Sequence, residues 1–137
     1  MLITRWFGRV ILFAATAILV MISVKFLVDS SAQAAARGIM LSTPLAVTIA
    51  RVGFGGFPLA SAIVTATSLF TGRVSRGLWF IVILFGTVLA VRAVSGATNG
   101  TLAASVPLII PELVFVGLSI ITLAIGRSSE ETRAAIL

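Results

Sequence analysis

Residues 51 to 60 read RVGFGGFPLA, an arginine followed by glycine, phenylalanine and proline in the middle of an apolar run that continues to Phe70. A phosphate-cradling loop and a bent membrane helix both use glycine in this way, and they lead to different folds. The dinucleotide fingerprint G-x-G-x-x-G fails because Pro58 stands where its third glycine belongs, and the Gly-Lys-Ser/Thr of a P-loop is absent. Read as a helix, the stretch puts Gly53, Gly56 and Ala60 at i, i+3 and i+7, a small-residue stripe along which a second backbone can come close. Pro58 removes one backbone hydrogen bond near Phe54 and predicts a kink there. The stretch therefore reads as a membrane helix, bent, at a tight crossing.

Composition gives the same class. The chain of 137 residues is 59% hydrophobic and 10% charged, with a mean hydropathy of +1.21, far more apolar than a water-soluble domain. Its apolar residues gather in blocks of about 20, the length that crosses a hydrocarbon core at 1.5 Å per residue. Cysteine, histidine and tyrosine are missing, which excludes disulfides, thiolate catalysis and the usual ligands of zinc, iron–sulfur clusters and haem. Only Asp29, Glu112, Glu130 and Glu131 remain for acid–base or metal chemistry, so no catalytic, cofactor or metal site is expected. The formal charge is +6, but the ten basic residues are scattered among apolar blocks, a distribution that sets membrane topology and does not form a nucleic-acid interface.

Four spans follow, at about Val10 to Val28, Pro44 to Phe70, Gly77 to Gly96 and Val106 to Gly126, within a single transmembrane domain of residues 1–137. Arg5 and Arg9, Arg73 and Arg76, and Arg127 and Arg133 fall on one side of these spans; Arg37 lies in the first opposite connection and residues 97–105 carry no cation. The positive-inside rule then places both termini in the cytoplasm, and Trp6 and Trp79 fall at the cytoplasmic ends of their helices. The expected fold is an all-α, integral-membrane four-helix bundle. The first block also resembles a secretory signal, with Ala32-Gln33-Ala34 as an A-x-A site. Lys25 and Asp29 between the apolar run and that site argue for its retention.

Charges inside spans are costly and mark a partner or a watery cavity. Arg51 stands seven residues in from Pro44, Arg92 four from Gly96 and Glu112 five from Pro107, depths of roughly 6 to 10 Å. Lys25 falls at a similar level, so each helix is expected to give one charge to a common layer. Lys25, Arg51 and Arg92 have stems long enough to carry their charges to the headgroups. Glu112 does not, and must pair, hydrogen-bond or take up a proton; Arg92 and Arg51 are its expected partners. If the fourth helix begins at Pro111 instead, Glu112 sits in its first turn and is favoured by the helix dipole.

Several further signals read as structural. Gly86 and Ala90 form a small-xxx-small pair for helix packing, and Ser128 with Glu131 fits a capping box for a short C-terminal helix. Asn99-Gly100-Thr101 matches a glycosylation acceptor, although Asn-Gly is first a turn signal; Asn99 is the polar contact of that loop. The alanine-rich connection from Ser30 to Ser42 is expected to hold a short interfacial helix.

An arginine with a Gly-Gly step on the second helix (Arg51, Gly55, Gly56), a glycine and then an arginine on the third (Gly86, Arg92), a polar-Gly pair (Asn99, Gly100) and Glu-Leu on the fourth (Glu112, Leu113) together form a pattern. It resembles small bacterial four-helix integral membrane proteins of a domain of unknown function, similar in architecture to DoxX-like proteins, over about Val10 to Gly126. The resemblance implies the bundle, a bacterial inner-membrane location and a site at those positions, but no activity. The family pattern favours Asp-Gly in the loop; Asn99 here removes that carboxylate.

Three functional classes are then open. The first is a non-catalytic accessory or structural component that packs against a membrane-protein partner or a second copy of itself. The second is a binding or carrier protein whose charge layer (Lys25, Arg51, Arg92, Glu112) receives an anionic lipid or a quinone-like amphiphile. An enzyme is the weakest of the three, with one carboxylate inside a span. A cavity reaching the charges would favour binding; close-packed side chains there would favour a structural role.

Overall fold

The computed structural model describes the backbone of residues 2–134 and the side-chain surroundings of residues 4–126. Its elements are helices α1 (Leu2–Val28), α2 (Ser30–Ala35), α3 (Pro44–Ala50), a π-helical segment (Arg51–Gly56), α4 (Phe57–Phe70), α5 (Val74–Thr98) and α6 (Leu102–Ala134). Among the described residues there is no strand. Four stretches are long and apolar enough to cross a membrane: Thr4–Val28, Pro44–Phe70, Val74–Thr98 and Leu102–Gly126.

Three of these spans are longer than the hydropathy blocks, for a local reason. Thr98 and Ser105 look like loop residues, yet Thr98 Oγ1 donates to the Val94 carbonyl at 3.1 Å and Ser105 Oγ to the Thr101 carbonyl at 3.0 Å. A hydroxyl bonded back to its own helix is compatible with helical backbone. The loop expected over residues 97–105 is therefore only Asn99 to Thr101. Gly100 turns it with φ +67°, and Thr101 N–H donates to the Gly96 carbonyl at 2.9 Å. Helix α6 also runs unbroken past Gly126 to Ala134, so no separate helix starts at Ser128; the side chains of Ser128 and Glu131 lie outside the described residues.

The chain divides into two compact units. One, Phe13–Thr67, holds the second part of α1, then α2, α3, the π-helical segment and most of α4. Asp29 caps α2, its Oδ1 accepting from Ala32 N–H at 2.9 Å, so the connection from Ser30 to Ser42 is helical only in its first half. Thr43 caps α3 by accepting from Ala46 N–H at 3.1 Å, with Pro44 at the first helical position, where its missing N–H costs nothing. Ahead of Pro58, where a kink is expected, the helix widens. In an α-helix the Pro58 ring would clash with the carbonyl of Phe54; here the turn opens, and Phe57 N–H reaches the Val52 carbonyl five residues back.

That widening changes the contact face. Gly53 and Ala60 are exposed, and a methyl group added at Gly53 would meet nothing within 4 Å; at Gly56 it would meet only the Arg51 carbonyl, at 4.0 Å. Gly55 is the buried residue: a methyl group there would stand 2.8 Å from Leu27 Cδ2. The expected stripe of Gly53, Gly56 and Ala60 is thus replaced by one close approach, because a π turn advances the helix face differently from the α turn on which the i, i+3, i+7 spacing rests. Ser23 Oγ donates to the Gly55 carbonyl at 2.7 Å, Thr16 and Thr65 hydroxyls meet at 2.8 Å, and the Phe26 and Phe54 rings lie 5.1 Å apart. Where lipid tails are as apolar as the side chains, such small-residue contacts and hydroxyl bonds hold helices together.

The other unit, Met1–Leu12 with Ser68–Leu137, contains the start of α1 and the antiparallel α5–α6 hairpin. Leu12, Leu78 and Ile81 are buried in it. Gly77 lets Leu12 approach: a methyl group on it would stand 2.7 Å from Leu12 Cδ2. The Phe85 and Phe115 rings stack at 5.4 Å across the hairpin. Gly86 has open space around its absent side chain and Ala90 is exposed, so the expected Gly86–Ala90 packing pair is not a close contact.

Candidate functional site

The α5–α6 hairpin carries a site of two charged residues and a cleft. At its closed end Gly96 lets Leu102 come close, since a methyl group on Gly96 would stand 3.1 Å from the Leu102 Cα. These two residues are therefore at one level, and positions on the two helices can be counted from them. At 1.5 Å per residue Arg92 lies about 6 Å along α5 and Glu112 about 15 Å along α6. Helical side chains tilt towards their own N-terminus. In an antiparallel pair that tilt carries Arg92 away from the closed end and Glu112 towards it, so the two converge.

They meet as a bidentate pair. Arg92 Nη2 donates to Glu112 Oε1 at 2.9 Å and Nε to Oε2 at 3.2 Å. The side chains are 29% and 11% exposed, so the carboxylate is enclosed and the guanidinium half open. Such fork-to-fork geometry is among the strongest polar contacts available to a side chain, and it gives a carboxylate inside an apolar helix its counter-ion.

Arg92 also lines an open cleft of ≈ 430 Å³. Thr87, Val88, Val91 and Ser95 share its wall with Arg92 because their spacing repeats once per helical turn, and Thr101 and Ser105 close it from the turn and α6. Asn99 borders this wall by donating from Nδ2 to Ser95 Oγ at 3.3 Å. Glu112 is not part of the cleft lining; it backs the guanidinium.

Of the four charges expected in one layer, Arg92 and Glu112 lie in the same unit and meet there. Helix α6 begins at Leu102, not near Pro107, and continues through Pro107 and Pro111, so Glu112 is in mid-helix and not in a first turn. Arg51 and Lys25 belong to the other unit, are exposed, and make no ion pair among the described residues. Sequence reasoning missed the hydroxyl wall of Ser95, Thr101 and Ser105; its signal is their position one turn from Arg92 or directly across the Asn-Gly turn. Among the described residues no three acids stand together as a metal site. Comparison with known protein families, with curated proteins and with solved structures finds no match.

Proposed function

We propose that this chain is a non-catalytic, multi-pass protein of a bacterial inner membrane, a four-helix bundle of the DoxX-like kind with both termini cytoplasmic. In this reading its α5–α6 hairpin receives the polar head of a membrane amphiphile beside Arg92. The observation that carries it is the open cleft of ≈ 430 Å³ with Arg92 in its wall. An accessory component held together by a structural ion pair needs Arg92 and Glu112 in contact but has no use for open space beside them. Volumes of this order are typical of small-molecule sites, which combine apolar walls with a few placed polar groups. Val88 and Val91 supply the apolar wall here, Arg92 and four hydroxyl residues the polar groups.

The test fills the cleft without touching the pair. Val91→Trp places a large ring at the cleft from a lining residue that is 64% exposed. Native mass spectrometry of protein gently extracted from its own membrane should show a retained amphiphile on the wild type and its loss from Val91→Trp at unchanged thermal stability. Equal adducts on both proteins, or none on the wild type, would contradict the reading.

A further inference from the structure

The way Arg92 is paired restricts what can enter beside it. Resting on the reading that the cleft is a binding site, we infer that the head it takes is uncharged and oxygen-rich, of the glycerol-ester class, and that Glu112 is the residue that turns anions away.

A guanidinium has five N–H donors. Glu112 takes one on Nε and one on Nη2, which leaves both N–H groups of Nη1 and one of Nη2 without a partner among the described residues. Arg92 therefore still donates hydrogen bonds, but its charge is already compensated 2.9 Å away. A phosphate or carboxylate head entering the cleft would be attracted by Arg92 and repelled by the Glu112 carboxylate behind it. Two Coulomb terms of opposite sign and similar distance largely cancel, while the cost of dehydrating the anion remains. A carbonyl or ester oxygen costs much less to dehydrate and accepts from a charged donor, which strengthens the bond. Among the described residues no second cation lines the cleft to offset Glu112.

The hydroxyls on the two walls suit hydroxyl groups of a ligand. Ser105 Oγ has committed its hydrogen to the Thr101 carbonyl, and Ser95 Oγ receives one from Asn99, so lone pairs on both oxygens face donors a ligand can bring. A head with a carbonyl for Arg92 and hydroxyls for Ser95 and Ser105 uses both walls, and Val88 and Val91 border the path of its chain. Acylglycerols have this chemistry; fatty acids and phospholipids carry an anion in its place.

Two probes with the same chain separate the possibilities: monodecanoylglycerol and decyl phosphate, each titrated against the full chain in phosphatidylcholine nanodiscs and read by native mass spectrometry. The wild type should prefer the glyceride by about tenfold or more, a discrimination of about 1.4 kcal/mol. Glu112→Gln keeps the shape of the side chain and unmasks the charge of Arg92; it should raise decyl phosphate binding about tenfold and change glyceride binding far less. Preference of the wild type for decyl phosphate, lost in Val91→Trp, would overturn the inference and leave the cleft as a site. Failure of both probes to bind, or glyceride binding insensitive to Val91→Trp, would overturn the cleft reading and the inference together. If Glu112→Gln does not assemble, the wild-type preference alone decides.

Discussion

Removing one member of the Arg92–Glu112 pair should cost stability in an order set by burial. Glu112→Gln leaves a guanidinium that is 29% exposed beside an open cleft, where water reaches it; Arg92→Gln leaves a carboxylate only 11% exposed among apolar side chains. Breaking a fully buried pair costs about 3–5 kcal/mol. Arg92→Gln should fall at the lower end, about 3 kcal/mol, and Glu112→Gln at about 1–2 kcal/mol, since its charge stays partly hydrated and one hydrogen bond survives. The double variant leaves no unmatched charge, so its loss should be smaller than the sum by about 1–2 kcal/mol. Snorkelling works against relief of the lone arginine, because Arg92 tilts away from the closed end of its hairpin. The assay is reversible unfolding in mixed micelles, followed through Trp79 fluorescence, for all four proteins. Losses that add within about 0.5 kcal/mol, or Glu112→Gln costing more than Arg92→Gln, would refute the argument.

Gly55→Leu should lower stability by about 2–3 kcal/mol through overlap with Leu27, while Gly53→Leu stays within about 0.5 kcal/mol; equal losses would remove the π-shifted contact. Ser23→Ala should cost about 1 kcal/mol by freeing the Gly55 carbonyl. Ser119→Ala should be neutral or stabilising, because Ser119 Oγ is buried without a partner; the same unfolding assay reads both. Reporter fusions after Leu137 should be active in the cytoplasm and those inserted at Gly100 only outside it, and the reverse pattern would overturn the topology.

Much of the fold is legible because lipid as a solvent leaves few options: apolar blocks of spanning length must be helices, so counting blocks finds four spans. Arg92 and Glu112 stand out for the same reason, being charges on helices joined by a short turn. Helix ends are less legible, since Thr98 and Ser105 satisfy their hydroxyls on their own carbonyls and a polar residue then does not mark a loop. The face of the second span was not legible at all. Gly53, Gly55 and Gly56 are equivalent as letters, and only the steric demand of Pro58, answered by a π turn, selects Gly55. The cleft depends on where α6 begins, and moving that start from Val106 to Leu102 brings Thr101 and Ser105 opposite Ser95.

The central claim, that the α5–α6 hairpin holds the head of an amphiphile beside Arg92, is tested most directly by photolabelling. A monoacylglycerol with a diazirine next to its ester, incorporated into membranes containing the full chain, reports by peptide mapping which residues surround the head. Labels should concentrate on residues 87–105 and decline when monodecanoylglycerol is added in excess. Labels spread evenly over every lipid-exposed helix and unaffected by competitor would contradict the claim.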